Sequence, residues 1–97
     1  MVIATFGDQL TDDLYNRRET ARTRKVPPDL TSIAQRKLDM INAAADTKDL
    51  RVPPGNRLEQ LKGKLKGWWS IRVNDQWRIV FRWERKDAYA VKFTDYH

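Results

Sequence analysis

The last third of the chain alternates. From Trp68 it reads W-W-S-I-R-V-N-D-Q-W-R-I-V-F-R-W, then a charged turn, then A-Y-A-V-K-F-T-D-Y-H. Apolar residues recur at every second position through three runs, the period of strands with one buried face. The pattern predicts strands over about 68–73, 76–83 and 88–94, with turns at Asn74-Asp75 and at Arg85-Lys86-Asp87. Such short connections make the strands antiparallel neighbours. Trp69, Ile71, Val73, Trp77, Ile79, Phe81, Tyr89, Val91 and Phe93 fall in the buried phase. Ser70, Arg72, Arg78, Val80, Arg82 and Lys92 fall in the other, so the open face is cationic.

The first half is helical in period. Val2 to Phe6 is a short apolar run ending at Gly7, which predicts a first strand. Asp8 can cap a helix over about Gln9 to Glu19, with Leu10, Leu14 and Tyr15 facing inward. Pro27-Pro28 breaks the chain and opens a second helix, about Asp29 to Ala45. Its apolar positions Leu30, Ile33, Ala34, Leu38, Ile41 and Ala45 keep helical spacing, while Arg36, Lys37 and Asp39 take the wet side. Thr47 to Asn56, with Pro53-Pro54-Gly55, is expected as a loop, and Arg57 to Leu61 as a short edge segment. Lys62, Lys64 and Lys66, interleaved with Gly63 and Gly67, form a basic loop ahead of the strands. The expected architecture is α+β: a strand and two helices packed on a C-terminal antiparallel meander.

Composition narrows the chemistry. The 97 residues suffice for one domain, 1–97, that folds without cross-links. With no cysteine and one histidine, disulfides, thiolate chemistry and cysteine-ligated zinc are excluded, and no metal or other cofactor is expected. A net charge of +6 with a pI near 9.9 favours a polyanionic partner. The N-terminus lacks the pattern of a secretory signal and no apolar run reaches spanning length, so the expectation is cytoplasmic, with no membrane partner. Arg17, Arg18, Arg22, Arg24 and Lys25 form a second basic stretch. A helix end and linker explain it more readily than a phosphate contact does.

Two groups of residues can carry chemistry. Arg72, Arg78 and Arg82 share one sheet face, where like charges on neighbouring strands cost stability. Arginine's planar fork suits phosphate, so the cluster points to an anionic ligand. The ending Asp95-Tyr96-His97 follows directly from a strand and should lie near those arginines. His97 has the ordinary pKa for proton transfer near neutrality, Asp95 can orient it or act as a base, and Tyr96 offers a phenol and a stacking ring. Together they fit cleavage of RNA by attack of its own 2′-hydroxyl on the adjacent phosphorus. That reaction needs a base, an acid and positive charge at the phosphate. Tyr96 and Trp68 are candidates for stacking an unpaired base.

The run N-R-L-E-Q-L-K-G-K-L-K-G-W-W-S-I-R-V-N-D-Q-W-R-I-V-F-R-W, the following D-A-Y and the final D-Y-H closely resemble the HigB (plasmid-killer) toxins of the RelE superfamily. The resemblance covers nearly the whole chain and is most specific from Asn56 onward. It implies a RelE-like fold and a small basic endoribonuclease of a type II toxin–antitoxin system. Such an enzyme enters the ribosomal A site and cuts mRNA there without metal. It is neutralised by a HigA-type antitoxin with a helix-turn-helix domain, and meets operator DNA only through that complex. Carried over by position, Arg78 stabilises the scissile phosphate, Asp95 and His97 share acid–base duty, and Tyr96 positions the base or the histidine. Arg72 is catalytic or structural, Arg82 joins the RNA-binding face, and Arg57, Lys62 and Lys64 grip mRNA or ribosomal RNA. Some HigB toxins carry a histidine just before L-K-G, where this chain has Glu59. That residue is either a substitute base or the partner of Arg57 or a lysine in an ion pair. Two other outcomes stay open: a module that blocks translation without cutting, and a catalytically decayed toxin.

Overall fold

A computed structural model describes residues 2–63 and 67–95. Among the described residues, helices α1 (Gln9–Tyr15), α2 (Ala21–Arg24) and α3 (Pro28–Ala43) precede the 3-10 turns Thr47–Arg51 and Pro54–Asn56. Four antiparallel strands follow in sheet order: β1 (Glu59–Gln60), β2 (Trp68–Arg72), β3 (Trp77–Glu84) and β4 (Asp87–Asp95). The predicted α+β plan is observed, and the expected edge segment is β1.

Asp8 caps α1 as expected, its carboxylate accepting from the Thr11 amide at 2.9 Å. The helix stops at Tyr15, four residues short of the expected Glu19. Arg17 takes a left-handed φ of +56°, and the Arg17 and Arg18 amides return to the carbonyls of Leu14 and Asp13. That crossed pair of bonds closes a helix C-terminus, usually with glycine at the left-handed position. Here Asp39 holds the Arg17 side chain at 2.8 Å. Helix α3 starts with proline in its first turn, where the missing N–H costs nothing. It ends at Ala43, so Ala44 is buried and Ala45 is not.

Leu30, Ala34, Leu38 and Ile41 of α3 pack with Ile71, Ile79, Phe81, Val91 and Phe93 of the sheet into one core. The N-terminal strand is only partly formed. Residues 2–7 run parallel to β4 but bridge it at two places, Ile3 with Ala88 and Phe6 with Val91. The cause lies in β4, where Ala90 has a φ of +52° and its amide donates to the Thr5 hydroxyl at 2.7 Å. The same irregularity shifts the ladder between Val80 and Arg82. It also overturns one expected core position. Tyr89 pairs with Arg82 on the open face, and Ala88, fully buried, takes the inward place. An extra residue in a bulge reverses the phase of everything before it.

Candidate active site

Directly paired residues of an antiparallel ladder project to the same face, so the register lays out the cationic face in three rungs. Arg72, Arg78 and Thr94 form the first; Glu59, Ser70, Val80 and Lys92 the second; Trp68, Arg82 and Tyr89 the third. Arg72 and Arg78 stand directly opposite each other, the repulsive placement expected to cost stability. Their side chains diverge. Arg72 turns to the Asp75 carboxylate in the β2–β3 loop, and Arg78 turns across β2 and becomes almost buried, 12% exposed.

Among the described residues, Arg78 donates to neutral acceptors. Nε donates to the hydroxyl of Ser70 at 2.9 Å, and Nη2 donates to the Arg57 carbonyl at 2.8 Å. A longer bond from Nη2 reaches the Ser70 carbonyl at 3.4 Å. Such acceptors orient a guanidinium without cancelling its charge. Glu59 Oε2 lies 3.7 Å from Nη2, beyond hydrogen-bond distance, on a carboxylate that is 57% exposed. Among the described residues its cationic neighbour is Arg78, whereas the ion-pair alternative had offered Arg57 or a lysine.

The other predicted residues fall at different distances from this centre. Arg82 pairs with Glu84 at 2.7 Å and lies 5.2 Å from the Tyr89 ring centroid. Asp95 pairs in register with Trp77 and accepts from the Gln76 side chain at 2.8 Å. It thus sits one position beyond the Arg78–Thr94 pair, in the opposite phase but at the same end of the sheet. Lys62 is exposed beside β1 and Arg57 is exposed at the start of that edge. Tyr96, His97 and Lys64 lie outside the described residues.

Three contributors were not singled out from sequence: Ser70, the Arg57 carbonyl and Tyr89. Ser70 is a small polar residue on the arginine phase, a weak signal that only the diagonal across β2 and β3 makes meaningful. A backbone carbonyl leaves no trace in sequence, and Tyr89 was hidden by the bulge.

Three cations of the second basic stretch have acidic partners within the helical half. Arg18 and Arg22 meet the buried Asp13 at 3.3 and 3.2 Å, and Arg17 meets Asp39. The Gln9 amide, with Thr20, Arg22 and Arg18, holds the Asp13 carboxyl below the usual carboxylate range despite its burial. A groove of about 470 Å3 between α1, α2 and α3 lies on this helical side, away from the cationic sheet face. Among the described residues, no group of three acidic or histidine side chains is placed to hold a metal ion. No described helix is long and apolar enough to cross a membrane.

The family model for the RelE-like toxin of the HigB type II toxin–antitoxin system matches residues 4–97. Toxin HigB-1 of Vibrio cholerae is 45% identical over 78 residues, which cover 80% of each chain. The endoribonuclease HigB of Proteus vulgaris is 46% identical over 41 residues, 42% of this chain and 45% of that one. Among solved structures, a YoeB–YefM complex from Staphylococcus aureus superposes with a TM-score of 0.61 at 16% identity. It covers 100% of this chain and 99% of the other, which shows a shared fold. The match across nearly the whole chain places this protein in the HigB-like family of RelE-like toxins of type II toxin–antitoxin systems.

Proposed function

We propose that this toxin is an endoribonuclease that cuts translated mRNA in the ribosomal A site, arresting translation and growth until a HigA-type antitoxin neutralises it. The observation that carries the activity is Arg78: a nearly buried guanidinium, oriented by Ser70 and the Arg57 carbonyl, on a face also bearing Arg72, Arg82 and Lys92. The named Proteus vulgaris relative supports the same chemistry.

In the proposed reaction a base takes the proton of the RNA 2′-hydroxyl, and that oxygen attacks the adjacent phosphorus. The bond from phosphorus to the 5′-oxygen breaks, and an acid returns a proton to the leaving oxygen. The products are a 2′,3′-cyclic phosphate and a 5′-hydroxyl end. Charge grows on the non-bridging oxygens in the transition state, where a preoriented guanidinium is worth most. Arg78 takes that role, Asp95 and His97 share proton transfer, and Tyr96 positions the histidine or a base. Arg57, Lys62, Lys64, Arg72 and Arg82 hold the RNA or ribosomal RNA.

One feature favours a second function, a module that occupies the ribosome without cutting. Glu59 places a carboxylate beside Arg78 where it competes with a phosphate. A cell-free translation reaction separates the two. Purified protein, Arg78→Ala, His97→Ala and a ribosome-free control are compared by primer extension on the mRNA. New ends that require ribosomes, Arg78 and His97 are the expected result. Inhibited translation on intact mRNA assigns the blocking function instead, and no effect at all marks a decayed toxin.

A further inference from the structure

One of the acceptors that orient Arg78 is a backbone carbonyl, and the turn that carries it is tied to helix α3. Arg57 follows the 3-10 turn Pro54–Asn56 and has left-handed angles, φ +44° and ψ +55°. An L-residue rarely adopts that region without support from its surroundings. Here the support is Asn56, which is fully buried. Its side-chain amide donates to the Leu50 carbonyl at 3.1 Å, and its amide oxygen accepts from the Lys37 ammonium on α3.

Lys37 was expected on the wet side of its helix, yet it is half-buried. Burial, together with the charges of Arg36 and Arg72, pushes its pKa down. A cation placed against those costs has a specific attachment in Asn56. The bonds form one continuous line from Lys37 through Asn56 and the Arg57 carbonyl to the Arg78 guanidinium.

We infer that Lys37 and Asn56 are positioning residues for the cleavage reaction, fixing the turn at Arg57 and so the carbonyl that aims Arg78 at the scissile phosphate; this rests on the role proposed above for Arg78. Misplacing a catalytic group by a fraction of an ångström to an ångström is enough to slow chemistry while leaving substrate binding intact. Lys37 and Asn56 therefore govern the rate on the bound ribosome and not affinity for it.

The test is single-turnover cleavage on programmed ribosomes with excess purified toxin, giving a rate at saturation and a half-saturating concentration. Lys37→Met keeps the length of the side chain and removes the donor. Its saturating rate should fall by about tenfold, with half-saturation within about twofold of the unmodified toxin. Lys37→Arg, which can still donate to Asn56, should recover most of the rate. In an Arg78→Ala background Lys37→Met should cause no further loss, because the group it positions is gone. An unchanged saturating rate, a change in half-saturation alone, or the same fractional loss with and without Arg78 overturns the inference. If Arg78→Ala itself cuts at full rate, the role of Arg78 fails first, and that arm reports it separately. Should Lys37→Met not fold by circular dichroism, Lys37→Leu, which also lacks a donor, is held to the same split.

Discussion

A guanidinium that donates to a hydroxyl and two carbonyls keeps its positive charge while losing its freedom. Arg78 meets that description through Ser70 and Arg57, and its planar fork is what makes two such directions possible at once. Lysine retains the charge but not the fork. Arg78→Lys should lower the cleavage rate on programmed ribosomes by about 10²-fold, the usual cost of removing one preoriented stabilising group. A variant within twofold of the unmodified toxin would show that charge alone suffices. Asp13 makes the matching case for a carboxylate in the scaffold. Its pKa is lowered from 3.8 chiefly by the Gln9 amide, with Thr20, Arg22 and Arg18 adding to it. A depressed carboxylate stabilises the fold above its unfolded pKa, and that contribution is lost as pH falls through the folded value. Thermal melts should therefore show the chain losing stability below about pH 4. Asp13→Asn should be less stable at neutral pH and lose less over the acid interval.

Individual elements carry backbone strain where the sequence supplies no glycine. The β3–β4 hairpin turns on Arg85 and Lys86, both at positive φ (50° and 68°), between the paired Glu84 and Asp87. Two-residue turns of this form favour Asn-Gly. Replacing Arg85 with Asn and Lys86 with Gly should stabilise the chain by about 1–2 kcal/mol, the relief of left-handed strain, read as a shift in urea midpoint at constant slope. The elements themselves were largely legible. Period two located the three long strands to within a residue or so, and period 3.6 located α3. What was missed are features set by hydrogen bonds to distant groups. The early stop of α1 depends on Asp39 holding Arg17, and Thr47–Asn56 is two 3-10 turns because Leu50 and Asn56 are buried against the rest of the fold.

At the scale of the whole molecule, one sheet divides a buried apolar side from a cationic open side. Phe81 is fully exposed to the core and not at all to water. Phe81→Ala should cost about 3–5 kcal/mol by the lost transfer energy and the cavity left behind, measured by denaturant unfolding. The open side carries Arg72, Arg78, Arg82 and Lys92, so ribosome or RNA binding should weaken steeply with salt, as ion release demands. A salt-independent association constant, measured across about 50 to 200 mM salt, would count against a phosphate-directed surface. Alternation and composition were enough to reach the α+β fold and the cationic face, because each follows from local periodicity or residue type, and the resemblance of the L-K-G, W-R-I and D-Y-H motifs to known toxins pointed to the family. The partners of Arg78 were not reachable that way. A two-residue turn at Asn74-Asp75 would pair Arg72 with Trp77. The actual loop is longer, with Asn74 accepting from the Gln76 and Trp77 amides, and pairs Arg72 with Arg78. One residue of register decides which side chains share a face, and the Lys37, Asn56 and Arg57 links join residues that only the folded chain brings together.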